Sequence, residues 1–166
     1  MFVNTKRVAE KVWSYLKGNR IHAAVLSGDV PQKKRQRLFN EFSTGDLKVL
    51  VATDLAARGL HIPDVSHVFN YDLPQNAEDY VHRIGRTARA GASGDAVSFA
   101  CEDYVYSLTE IESFIGYQIP ITKISEENLL EILPPTKRKH HKKLPHSSKN
   151  KKNSKNHNRS SQNNLR

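Results

Sequence analysis

The stretch HRIGRTARAG, residues 82–91, places His82, Arg83, Arg86 and Arg89 within eight positions. On a continuous helix His82, Arg86 and Arg89 fall at i, i+4 and i+7, one stripe of one face. A packing stripe is apolar, so a cationic one needs an anion or open water. Gly85 and Ala88 flank the arginines, and a glycine inside a helix costs about 1 kcal/mol relative to alanine. Small residues there predict the close approach of another surface. Arg86 and Arg89 have the chemistry of a clamp on a transferring phosphoryl group.

Other anion donors lie elsewhere. In GDVPQKKR, Gln32 and Arg35 stand at i, i+3 near a predicted helix start, where free N–H groups and the dipole favour phosphate. The Gly28–Asp29 turn just before them allows a close backbone approach. In VATDLAARG, Thr53 sits where a strand ends, with a hydroxyl and an N–H to offer; a plain capping role is the alternative. Asp54 can orient an arginine or cap the turn. The sequence has no GxxxxGK[ST], the loop that cradles nucleotide phosphates. It has no zinc-type spacing and no Ser/His/Asp arrangement, so no metal site is expected.

The elements that must position these groups alternate. MFVN, IHAAVL, KVLVAT, HVFNYDLP (closed by a proline turn) and GDAVSFAC read as strands, and KVLVAT is the continuous apolar run of a sheet covered on both faces. Helical patterns lie between them. KRVAEKVWSYLKG follows Thr5 as a cap and carries Val8, Val12, Trp13 and Leu16 on one side. PQKKRQRLFNEFSTG buries Leu38, Phe39 and Phe42. NAEDYVHRIGRTAR is expected to run as one helix from Asn76 to Arg89. EDYVYSLTEIESFIG follows, and SEENLLEIL is expected as a last short helix. The class is α/β with a mainly parallel sheet flanked by helices. SGDV, TDLAARGL and NYDLP all follow strands directly and so gather at one sheet edge, where ligands bind in such folds.

The 166 residues carry Lys+Arg 26 against Asp+Glu 17, a net +9. That charge is concentrated. Residues 136–166 hold 11 Lys/Arg and no acid, leaving residues 1–135 at a net of −2. The division is a domain over 1–134 and a disordered basic tail over 135–166, suited to a sequence-blind electrostatic arm for nucleic acid. The single Cys101 excludes a disulfide framework. No long apolar run suggests a membrane span, and no apolar leader opens the chain, so a cytoplasmic setting is expected.

Taken in order, FVNTK, GDVPQKKR, ATDLAARGLHI, NYDLP and HRIGRTARAG resemble the motifs of the second RecA-like domain of DEAD-box RNA helicases. ARGLHIP, VFNYDLP, EDYVHRIGRT, RAGASG and ESFIGYQIPITK resemble most its bacterial RNA-degradosome branch. The resemblance covers about residues 1–134. It implies a RecA-like fold and ATP-driven unwinding of short RNA duplexes in RNA degradation, with ATP and Mg²⁺ held mainly by a first RecA-like lobe.

By position, the resemblance implies that Arg86 and Arg89 contact the ATP γ-phosphate, while His82 and Arg83 couple the lobes. Gly59 and His61 border the ribose. Gln32, Arg35, Thr53, Gly28 and Asp29 grip the RNA backbone, with Asn4 and Thr5 on the same side. Its implied partners are RNA, the missing first lobe and the degradosome endoribonuclease.

Two departures stand out. His61 replaces an aspartate that binds the ribose, and Ala88 replaces a glycine, a change expected to favour helix. Met1 falls inside the first matched motif, so an N-terminally truncated lobe, inactive alone, is expected. A non-catalytic RNA- or degradosome-binding fragment is the alternative. The pairing of TDLAARGL with HRIGRTARAG argues against a DNA translocase.

Overall fold

The computed structural model describes residues 1–58, 65–88 and 93–136. The expected tail from residue 137 onward, and the expected ribose and phosphate residues Gly59, His61 and Arg89, lie outside them. The first helix, α1 (Lys6–Gly18), starts where the sequence pattern places it, with the Thr5 hydroxyl accepting from the Val8 N–H. It is followed by β1 (Ala23–Leu26), α2 (Gln32–Ser43), β2 (Val49–Ala52), the one-turn α3 (Asp54–Ala57) and β3 (His67–Asn70). Then come α4 (Ala77–Ile84), β4 (Asp95–Ser98), α5 (Tyr106–Ile115) and a 3₁₀ turn at Glu126–Asn128.

The strands are parallel. β1 pairs with β2 from Ala23↔Val49 to Leu26↔Ala52, and β3 with β4 from His67↔Asp95 to Asn70↔Ser98. The expected strand MFVN forms only isolated bridges, but it completes the sheet. Phe2 bridges both Ala52 and Asn70, so residues 1–3 lie between β2 and β3. The sheet order is β1, β2, the 1–3 segment, β3, β4.

Alternation sorts the side chains to two faces. Val3, Val25, Val49 and Val51 pack on Ala9 and Val12 of α1. Phe2, Leu26, Leu50, Ala52 and Val68 pack on Leu38 and Phe39 of α2 and on Ala56 and Ala57 of α3. Leu73, Ala77, Tyr80 and Ile111 form a third cluster, joining α4 to α5. Among the described residues no helix is long and apolar enough to cross a membrane.

Two expected helices fall short. SEENLLEIL yields only the 3₁₀ turn, because Leu129, Leu130, Ile132 and Leu133 bury no face and the Ser125 side chain makes no cap hydrogen bond. The helix expected over 76–89 ends at Ile84. Gly85 is its C-cap, with its N–H on the Val81 carbonyl, and a Cβ there would stand 3.0 Å from that same oxygen. The close approach expected at Gly85 is therefore to its own helix. Beyond it the chain turns to pair Thr87 with Val65, the Thr87 hydroxyl donating to the Val65 carbonyl. His82 and Arg86 are accordingly not on one helical stripe, and Arg89 lies outside the described residues.

Ala88 does not extend the helix. Its φ is +54°, in the left-handed region that favours glycine. A non-glycine residue held there costs on the order of 1–3 kcal/mol, partly offset by the lower unfolded-state entropy of alanine. Ala88→Gly is expected to stabilise the fold by about 0.5–1 kcal/mol, seen as a higher midpoint in urea. A lower midpoint would contradict the left-handed turn.

Candidate functional site

Residue 83 is an arginine whose side chain is 1% exposed. A guanidinium can be buried only if its donors are met. Nε and Nη2 donate to the two oxygens of Asp54, each at 2.7 Å, a bidentate pair. Nη2 also donates to Asn4 Oδ1 at 2.8 Å. Nη1 donates to the Asp72 carbonyl at 2.6 Å and, at 3.5 Å, to Asn70 Oδ1. The Phe2 ring lies beneath, 5.3 Å from Cζ. All the donors of Arg83 are thus engaged within this domain. The sequence allowed Asp54 either to orient an arginine or to cap a turn, and it pairs with Arg83.

Above this pair a cleft of about 260 Å³ opens between α3 and α4, lined by Arg58, Asp79, His82, Arg83 and Arg86 among others. Sequence patterns brought His82, Arg83 and Arg86 together but missed Arg58 and Asp79. Their signal was the charge pair itself, 21 residues apart: Arg58 Nη2 lies 3.2 Å from Asp79 Oδ1. His82 Nδ1 lies 3.9 Å from the same oxygen. Arg86 stands apart. Its guanidinium has no hydrogen-bond or ion-pair partner among the described residues, and the residue is only half-buried. Among the described residues the cleft therefore presents one arginine without a carboxylate, beside two arginines that are paired to carboxylates.

The other expected site residues lie across the domain. Gln32 opens α2 and is exposed, and Gly28 and Asp29 form an exposed turn. A Cβ on Gly28 would meet open space. Arg35 is less available. Nη1 donates to the Ala56 carbonyl at 3.1 Å and Nη2 to the Ser27 carbonyl at 3.2 Å, so it ties α3 to the end of β1. Its buried Nε has no partner among the described residues. Thr53 is the N-cap of α3, yet its hydroxyl makes no cap hydrogen bond. Asn4 is drawn inward, with Nδ2 on the Leu73 carbonyl at 2.8 Å. Thr5 caps α1. No cluster that would hold a metal ion exists among the described residues.

Residues 1–91 match the helicase conserved C-terminal domain, a span that contains the Arg83 network, the cleft and the Gly28–Arg35 turn. The chain belongs to this family. It is similar to the ATP-dependent RNA helicases RhlB of Shewanella piezotolerans, 58% identical over 89% of this chain and 34% of the relative, and of Cronobacter sakazakii, 57% identical over 83% and 33%. The chain thus spans about a third of the length of the curated relatives it matches.

Among solved structures it resembles the E. coli DEAD-box protein SrmB bound to the regulator RraA. The TM-score is 0.71 and the identity 37%, covering 82% of this chain and 79% of that one. It also resembles S. cerevisiae Dbp5 bound to RNA and ADP BeF₃, with a TM-score of 0.64 and 38% identity over 72% of this chain and 33% of the other. The parallel sheet flanked by helices is the RecA-like C-terminal domain of DEAD-box helicases.

Arg83 and Arg86 should separate cleanly in stability. Arg83→Met strands Asp54 and two asparagines, and breaking such a buried pair costs about 3–5 kcal/mol. Arg86→Ala should stay within about 0.5 kcal/mol of the parent. Urea unfolding of both variants measures this, and equal losses would show that the buried pair does not hold the domain.

Proposed function

We propose that this chain acts as the second lobe of an ATP-dependent DEAD-box RNA helicase that unwinds short duplexes in RNA degradation. Arg86, with Arg89, supplies the arginine fingers for the γ-phosphate of ATP. The observation that carries this is Arg86 itself, the one cation of the cleft left without a carboxylate among the described residues. The chain's own residues suit an edge of the nucleotide and not the whole of it. A guanidinium at the mouth fits a phosphoryl oxygen, but the sequence has no phosphate-cradling loop, so ATP and Mg²⁺ would rest mainly on a first RecA-like lobe. His82 would link the lobes through the shared cleft, with Arg83 acting beneath it by holding Asp54 and α4 in place, and Gly59 and His61 would border the ribose.

Along the same carboxyl edge, the exposed Gly28–Asp29 turn and Gln32 would take the RNA backbone, joined by Thr53 and Arg35 and by Asn4 and Thr5. Arg35 would have to release the Ala56 or Ser27 carbonyl to reach a phosphate. The similarity to an RNA- and ADP BeF₃-bound relative supports both ligand classes. Docking on the degradosome endoribonuclease, in the cytoplasm, belongs to the same reading and draws on the likeness to RhlB.

The test is complementation. This chain alone should turn over no ATP. Mixed with a purified first lobe and RNA it should restore hydrolysis, and Arg86→Ala should lower that rate by roughly 10³-fold or more, the usual worth of an arginine finger. Hydrolysis by the chain alone that ignores Arg86→Ala defeats the reading. RNA binding without any restored hydrolysis would favour a non-catalytic RNA- or degradosome-binding module.

A further inference from the structure

Four basic side chains line the cleft between α3 and α4, and two carboxylates serve them. The two acids are used differently. Asp54 meets Arg83 through both its oxygens, and that arginine is buried. Asp79 turns a single oxygen to two groups. Its Oδ1 lies 3.2 Å from Arg58 Nη2 and 3.9 Å from His82 Nδ1. The side chains of Arg58 and His82 are 69% and 68% exposed, against 22% for Asp79.

The acid is the fixed end of this contact. Asp79 stands in the first turn of α4, where the helix dipole favours a carboxylate, and its own N–H donates to the Asn76 cap at 2.9 Å. The arginine is the free end. Arg58 caps α3 at its C-terminus, and its backbone N–H donates to the Asp54 carbonyl at 2.8 Å. Only its side chain has to move for the pair to open.

A single-contact pair between exposed groups shifts an equilibrium by about fivefold at most. A phosphoryl group offers several charged oxygens and takes a guanidinium through two parallel bonds, so it outcompetes one carboxylate oxygen for Arg58. Asp79 resists in two ways. It withholds Arg58, and it sets a negative charge in the wall of the cleft that the anion enters. A lone phosphate can occupy Arg86 and leave Arg58 where it is. A chain of phosphates has oxygens for both arginines.

We infer that Asp79 is a positioning residue that parks Arg58 until a polyphosphate chain displaces it, whereupon Arg58 joins Arg86 on the ligand. The acid thereby grades ligands by their number of phosphoryl groups, a repulsive element that works against the wrong ligand. This deepens the nucleotide reading of the cleft and rests on it.

The test is site-resolved. The Nε–Hε signals of the arginine side chains are followed by NMR in the full chain, with Arg58→Lys and Arg86→Lys as assignment aids. Inorganic tripolyphosphate in excess should shift the signals of both Arg58 and Arg86. Inorganic phosphate should shift that of Arg86 alone, and this contrast in the parent chain needs no variant. In Asp79→Asn, which keeps the size of the side chain, the tripolyphosphate midpoint should fall by about three- to fivefold, and phosphate should now move Arg58 as well. Adding Arg58→Gln should erase most of that gain, read on Arg86, because the two residues share one contact.

An Arg58 signal that stays put while tripolyphosphate moves Arg86 overturns the parking and leaves the nucleotide reading standing. A gain from Asp79→Asn that is as large with Arg58→Gln as without it overturns the parking likewise, since repulsion alone would then account for it. Failure of tripolyphosphate to move either signal removes the nucleotide reading and the parking together.

Discussion

A charged group inside a domain this small has to be matched donor for donor, and Arg83 is matched. Its guanidinium draws on five separate pieces of chain: Asn4 beside the central strand segment, Asp54 at the start of α3, Asn70 at the end of β3, the Asp72 carbonyl in the turn beyond, and α4, which carries it. Asp72 is in turn fixed by the Asn4 N–H at 2.8 Å. None of these partners can move far without leaving a buried donor unmet, at a cost of about 1–3 kcal/mol for each group and more for a charge. The carboxyl edge of the sheet is therefore one rigid unit, although it is assembled from loops. Apolar clusters on either face hold the helices to the sheet. The polar network decides where the loops end.

Arg35 does a similar job on the other flank. By reaching the Ala56 and Ser27 carbonyls it joins α2 and the β1 turn to α3, and α3 carries Asp54. Two guanidiniums thus meet through one helical turn. Thr53 sits at the head of that turn, between the exposed Gly28–Gln32 surface and the cleft. A displacement of α3 would disturb both arginines at once. The two ends of the domain are linked through packed, discrete contacts, the kind of element through which coupling between sites is carried.

Much of this architecture was legible in the residues. The Thr5 cap, the Pro31 start, the alternating valines and the apolar runs of β2 and β3 fixed the α/β order, because each is a local preference that the packing reinforces. Three things were not legible. The pattern continued a helix through Gly85 to Arg89, since periodicity cannot see that Thr87 is wanted by Val65 in a bridge. The leucines of 125–133 read as an amphipathic helix, but a short helix needs a surface to bury against. Arg83 and Arg86 lie three residues apart in one motif, and nothing local showed that Arg83 is the buried one. Which one is buried depends on Asp54, 29 residues away, and no local window contains it.

The contrast between those two arginines bears on the proposed role of Arg86 as a finger. A guanidinium in water interacts weakly with a distant anion and is largely screened. Brought into a closed interface it gains strength as solvent leaves, provided it is not already neutralised and does not have to reorganise. Arg58 and His82 lean on Asp79, and Arg83 is locked to Asp54, so the carboxylates of the cleft are occupied. Arg86 meets neither. The buried pair takes up the nearest acid and sets the backbone from which Arg86 projects, which leaves Arg86 without a competing carboxylate among the described residues. On the proposed reading, the anion that completes it comes from the other lobe, across an interface.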